Sequence, residues 1–334
     1  MKKKVSKSKK QERQRKRRSL ILLLFLTIIM LGTSTYAWFT ANRVVTINDI
    51  NVSVQASEGI QISTDAVNWK SVITNTDINA GYTGSNNQLP QIVTAVSSAG
   101  IVDTANESAT KGKMQMFIAS IANGDGGDYV LTATADPETG KDYIAFDVLL
   151  RVSKNQTIYL TPDAKVVNKA NETDKGLKNS ARIAFVYKGH ADIDETTANL
   201  ITLNSPTSPA VIWEPNAEAH SDVVINSVAA DYGVSLGSTN TTYHGVKAAV
   251  PTEQDLKTFV KNGNSTYTNT MTPIVTSSTT TAYTQVFQLT TGITKYRIYM
   301  WIEGQDIDCE NNATGSNIVF KLQLSTDNGT QSNS

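Results

Sequence analysis

Three histidines, one cysteine and one dense acidic run are the residues whose types could do chemistry. A zinc peptidase of the common kind needs two imidazoles one helical turn apart, with a glutamate between them as general base. His190, His220 and His244 are far apart in the chain, and no His-Glu-x-x-His occurs. His190 precedes Asp192, Asp194 and Glu195, which leaves open a metal site assembled across loops; exposed histidines in polar loops are the simpler reading. Glu303, Asp306, Asp308 and Glu310 are spaced closely enough to supply some of the roughly six to eight oxygens that calcium takes. The simpler reading there is an acidic, solvated connection between two strands. Cys309 stands alone and cannot close a disulfide within the chain, so it is read as buried and inert, with pairing between chains as the alternative. Tyr299 and Trp301 would make a carbohydrate platform if exposed, but such residues more often pack in a second sheet face or under a loop. Residues 123–128, rich in Gly and Asp, hold one unrepeated copy of a calcium-repeat-like run and read as a turn. Gly-x-Ser-x-Gly, phosphate-loop and dinucleotide motifs are absent. No catalytic residue and no cofactor are expected.

Charge is divided unevenly along the chain. Lys+Arg and Asp+Glu are 30 each over 334 residues, but residues 1–18 hold 11 of the bases and only one acid, Glu12. Without residues 1–37 the chain has 19 basic against 29 acidic residues, a formal −10. An acidic body disfavours nucleic acid, whose phosphates need bases to displace counterions. The basic arm is better explained by the apolar run beside it, as a segment retained on the cytoplasmic side of a membrane.

That run, residues 20–31, is twelve residues interrupted only by Thr27. It suits the hydrophobic stretch of a signal peptide rather than a spanning helix, which needs about 20 apolar residues. Gly32 and Thr33 then weaken the helix, and Thr35 and Ala37 put small residues at the −3 and −1 positions of a cleavage site. Cleavage between Ala37 and Trp38 is expected, giving a secreted or cell-surface protein that touches the membrane only through its uncleaved signal. The alternative is an anchor retained over residues 20–39.

A basic arm, a short apolar run and then Thr35-Tyr36-Ala37-Trp38-Phe39-Thr40 followed at once by β-pattern resembles the TasA/camelysin family of Gram-positive exported proteins. Residues 62–69 (ISTDAVNW) and 301–309 (WIEGQDIDC) also fit relatives of that group. The resemblance covers both ends of the chain and leaves about residues 75–280 unmatched; the 18-residue basic arm is longer than the family pattern. It implies processing by a signal peptidase of the SipW type, a jelly-roll-like sandwich, and a structural role in a biofilm matrix or surface fibre. It also brings a metallopeptidase label, as described for camelysin, which no histidine pattern here supports.

The positioning elements read as β. Residues 43–56 are strand-like, with a change of phase at Asn48-Asp49, and residues 60–62 and 70–73 flank a turn at 65–68. Residues 76–90 read as loop. Residues 113–121 and 129–135 read as two strands joined by a tight connection. Ile144, Phe146, Val148, Leu150 and Val152 alternate with Ala145, Asp147, Leu149 and Arg151, which predicts one set inward and the other outward. The same period recurs over 183–187, 295–303 and 317–325, with further strands over 157–161, stopped by Pro162, and 282–290. Residues 215–281 are a polar insertion holding one short helix signal: Thr252 and Asp255 as a cap, then Leu256, Phe259 and Val260 at helical spacing.

About a dozen short strands predict an all-β, jelly-roll-like two-sheet sandwich over residues 48–325, with long loop insertions, one short helix and a polar tail at 326–334. Residues 38–47 are then a free N-terminal strand. Trp38, Phe39, Val44, Val45 and Ile47 suit addition to the sheet edge of another copy, or equally to the chain's own domain. Two functions stay open: a fibre subunit whose partner is itself, and a monomeric surface module that binds a receptor or glycan.

Overall fold

The strand with the cleanest alternation seeds one of two sheets. In the computed structural model, residues 51–57, 59–90, 93–96, 98, 100–121, 129–133, 142–216, 275–276, 283–304, 308–309 and 317–328 are described. β7 (Ile144–Val152) lies antiparallel between β2 (Ile60–Ser63) and β14 (Gly292–Glu303), and β14 pairs on its other side with β10 (Ala181–Ala191). β11 (Val211–Glu214) and β12 (Val275–Thr276) complete that side, and β4 (Ala95–Val96) adds a short parallel pairing to β14, making seven strands. The facing sheet has six strands. β13 (Thr284–Leu289), β8 (Gln156–Leu160), β15 (Ile318–Ser325), β1 (Asn51–Ala56) and β3 (Val72–Thr74) follow in that order, and β9 (Lys165–Asn168) also pairs with β15. β8 and β9 are one strand path interrupted at Pro162, which lacks the N–H a ladder needs. β5 (Phe117–Ile121) and β6 (Tyr129–Ala133) form the expected hairpin.

Chain parity puts Ile144, Phe146, Val148, Leu150 and Val152 of β7 into the core between the sheets, with Tyr296, Ile298, Met300 and Ile302 of β14. Val52, Val54, Phe320, Leu322 and Leu324 answer from the six-stranded sheet. The fold is therefore an all-β two-sheet sandwich. Its strand order does not by itself establish a jelly roll, because β1–β15, β4–β14 and β11–β12 are parallel pairs. At one side the sandwich is stitched shut: Ile62 and Lys70 exchange two backbone hydrogen bonds of 2.8 Å, leading β2 of one sheet into β3 of the other.

Two expectations need correction. The set read as outward on β7 does not face water. Ala145, Asp147 and Leu149 are buried, as are Lys295, Arg297, Tyr299 and Trp301 on β14. Val102, Met114 and Met116 pack over this face with Ala145, Tyr299 and Trp301, and Leu200 with Leu149 and Ile293, as a third layer, so the central strands are covered on both sides. The segment read as loop over 76–90 begins with a helix, α1 (Asn75–Ala80), in which the Asp77 carboxylate accepts from the Thr74 backbone N–H at 2.9 Å. Helices of the described residues also include a 3-10 turn (Leu177–Ser180) and α2 (Thr197–Thr202), whereas the helix expected near residues 252–260 lies outside them. Among the described residues, no helix is long and apolar enough to cross a membrane.

Candidate functional site

The covered outer face of the seven-stranded sheet holds a buried ionic network. Asp147 and Arg297 are register partners across β7 and β14, so their side chains stand directly opposite. Arg297 Nη1 donates to Asp147 Oδ1 at 2.8 Å. Asp147 Oδ2 accepts from Tyr82 Oη at 2.5 Å and lies 3.2 Å from Lys295 Nζ. Tyr82 is delivered by the chain leaving α1, so this short helix positions one corner of the network. Lys295 Nζ also donates to Tyr82 Oη at 2.9 Å and to the Ile201 carbonyl at 2.6 Å, and Arg297 Nη2 donates to the Asn86 carbonyl at 2.5 Å. Burial pushes the Asp147 carboxyl up, but the Arg297 and Lys295 charges outweigh it and hold it well below the usual carboxylate range.

Beside the network lies a cleft of about 250 Å³, lined by Lys111, Lys113, Lys188 and Asn204 as well as by Asp147, Lys295 and Arg297. A register shift between Tyr187 and Gly189 breaks the β10 ladder at Lys188, whose Nζ donates to the Gly112 carbonyl at 2.9 Å. Gly112 has φ +76°, and a Cβ there would lie 2.1 Å from Lys188 Nζ and 2.3 Å from Asn204 Oδ1. Both the turn and the close approach require glycine.

A second buried pair occupies the same layer. Arg182 Nη2 meets Glu214 Oε1 at 2.5 Å, with both side chains about 1% exposed.

The residues singled out by type fall elsewhere. Glu303 and Asp308 are buried, not on a solvated connection; Glu303 Oε2 accepts from Trp301 Nε1 at 3.2 Å and from the Ser98 N–H at 3.4 Å. Asp306 and Glu310 lie outside the described residues. Cys309 is fully buried in the inter-sheet core. Tyr299 and Trp301 are packed under the third layer, Tyr299 Oη accepting from the Met114 N–H at 3.2 Å, so they present no exposed platform. His190 Nδ1 lies 3.1 Å from Thr294 Oγ1, and Glu195 Oε1 accepts from the Thr196 N–H and from Asn199 Nδ2 at the start of α2. Among the described residues, no three His, Cys, Asp or Glu side chains are placed to hold a metal. His220, His244, the cleavage-site residues Thr35, Ala37 and Trp38, and the assembly residues Trp38, Phe39, Val44, Val45 and Ile47 lie outside the described residues.

Sequence reasoning passed over Asp147, Lys188, Lys295, Arg297 and Tyr82. A signal existed: Asp147, Lys295 and Arg297 interrupt long apolar strands at positions of one parity. A strand with one wet face explains that pattern as readily, and only the covering layer separates the two. No protein-family model, curated protein or solved structure matches this chain.

Proposed function

We propose that this chain is an exported structural protein, a matrix or surface-fibre subunit of a Gram-positive bacterium, whose copies join by β-strand addition. A SipW-type signal peptidase would release it at Ala37, leaving a ten-residue β-forming segment at the new N-terminus. The jelly-roll connectivity implied by the family resemblance belongs to the same proposal. The observation that favours it is the edge at β13. This six-residue strand ends the six-stranded sheet among the described residues, whereas the opposite edge, β3, has three residues beside the stitched corner. Gln285 and Gln288 point to solvent from β13. Phe287 is half-buried and stacks on Tyr296 with ring centroids 4.5 Å apart, giving an aromatic floor for an incoming Trp or Phe. An unpaired edge offers main-chain hydrogen bonds, and alternate side chains set the register.

Lysines on an edge strand oppose edge pairing without disturbing a core. Gln285→Lys with Gln288→Lys, in the chain beginning at Trp38, is expected to abolish filaments seen by electron microscopy while the melting temperature of the monomer holds. A peptide of residues 38–47 should suppress filaments of the unaltered chain. Filaments that persist in the double variant would remove β13 as the acceptor.

A further inference from the structure

The amine of Lys188 and the side-chain amide of Asn204 meet over Gly112. A Cβ on Gly112 would lie 2.1 Å from Lys188 Nζ and 2.3 Å from Asn204 Oδ1, so the two heads flank one point and are in contact with each other. Each is held in place. The register shift breaks the β10 ladder at Lys188, and its Nζ donates to the Gly112 carbonyl at 2.9 Å. Asn204 Nδ2 donates to the Lys111 carbonyl at 3.2 Å, which fixes the way the amide faces. The Ser205 N–H donates to the Lys188 carbonyl at 2.8 Å and ties the two segments together. Lys188 is 7% exposed, and Asn204 Oδ1 is buried. Yet no donor among the described residues, the Lys188 amine included, reaches Oδ1 with hydrogen-bond geometry. A nucleophile approaches an amide at its carbon and away from the oxygen lone pairs, so contact without a hydrogen bond is the approach that attack requires.

From this contact we propose that Lys188 and Asn204 condense in the folded protein into an isopeptide bond between Nζ and Cγ. The free amine of lysine is the nucleophile, and burial favours that form of an amine. Nζ attacks Asn204 Cγ, the Cγ–Nδ2 bond breaks and the Nζ–Cγ amide forms. Nδ2 departs as ammonia, carrying a proton given up by Nζ. When the lysine starts as an ammonium, its extra proton leaves with the ammonia as an ammonium ion. Atoms and charge balance, and no oxidant, cofactor or co-reactant is consumed. The hydrogen left on Nζ keeps the bond to the Gly112 carbonyl. The product closes a covalent loop around α2 and clamps part of the third layer onto β10. It depends on neither export nor strand addition.

Mass spectrometry of the folded full chain is the test. The intact mass should lie one ammonia below the mass its sequence requires. Trypsin, which needs a free lysine, should leave the bond after Lys188 uncut. Asp192, Asp194 and Glu195 lie between the two residues, so a protease cutting after acids opens the loop. The piece holding Lys188 and the piece holding Asn204 should then remain joined as one mass. Lys188→Met and Asn204→Ala should each restore the full mass and lower the melting temperature by several degrees, because the closed loop is lost. If Lys188→Met fails to fold, Asn204→Ala carries the comparison alone. A full mass in the unaltered protein, with ordinary tryptic cleavage after Lys188, overturns the bond. An ammonia loss that persists in Asn204→Ala also overturns it, since the nitrogen then comes from elsewhere.

Discussion

Asp147 and Arg297 oppose each other across β7 and β14, with Nη1 2.8 Å from Oδ1 and both side chains buried. Their pairing is set by strand register, and Tyr82 and Lys295 close around the same carboxylate from a loop and from the neighbouring position of β14. Removing this acid deletes an ion-pair partner of both Lys295 and Arg297 in a covered layer. Asp147→Asn should cost about 3–5 kcal/mol, the range for breaking a buried pair by deleting one partner. Tyr82→Phe, which removes one bond to a charged acceptor, should cost about 1.5–3 kcal/mol. Urea unfolding measures both, and equal small losses would mean that the network is solvated.

The depressed carboxyl of Asp147 makes stability depend on acid. In the unfolded chain an aspartate titrates near about 3.9. Above that pH both states are ionised and the stabilisation is complete. As pH falls below it the unfolded chain takes up the proton first, and the stabilisation drains away until the folded carboxyl also protonates. Asp65 acts in the same direction: burial pushes it up, but hydrogen bonds from Asn68, Val67 and Ser63 hold it down to about 2. The urea midpoint should fall steadily from about pH 5 to about pH 2, and less steeply in Asp147→Asn. Identical slopes in the two proteins would contradict the assignment.

Cys309 belongs to the inter-sheet core, with no exposed surface. A thiol reagent should label it only after denaturant is added, and non-reducing gels of native protein should show no covalent dimer. Cys309→Ser should cost about 1–3 kcal/mol through the buried hydroxyl and leave export and assembly intact. Rapid labelling of the native protein would place the thiol at the surface.

Glu303 is occupied within the fold by Trp301 Nε1 and the Ser98 N–H. A calcium site on this run would therefore need Glu303 to abandon a buried indole. Chelator is expected to leave the melting temperature unchanged. A fall that added calcium reverses would show that the native state binds the ion by mass action.

Strand identity was legible in the chain because period-two alternation is a local property. The parity of Ile144 to Val152, of Tyr296 to Ile302 and of Ile318 to Leu324 assigned the inter-sheet core correctly, and Pro162 and the 65–68 turn were readable for equally local reasons. The helices α1 and α2 were missed because six residues make fewer than two turns, too few for a 3.6-residue period to emerge. The Thr74 and Asp77 spacing was the available cue to the first of them.

The sequence alone determined which residues share a face of each strand, and hence that the chain is a sandwich of two sheets. Only the tertiary structure decided that the other face is also covered, since the covering layer comes from segments with no periodicity of their own. That cover turns Asp147, Lys295 and Arg297 from apparent surface charges into a buried network, and puts Glu303, Tyr299 and Trp301 out of reach of solvent. Burial is a property of what arrives from elsewhere in the chain. Alternation reports which way a side chain points, and it does not report what waits there.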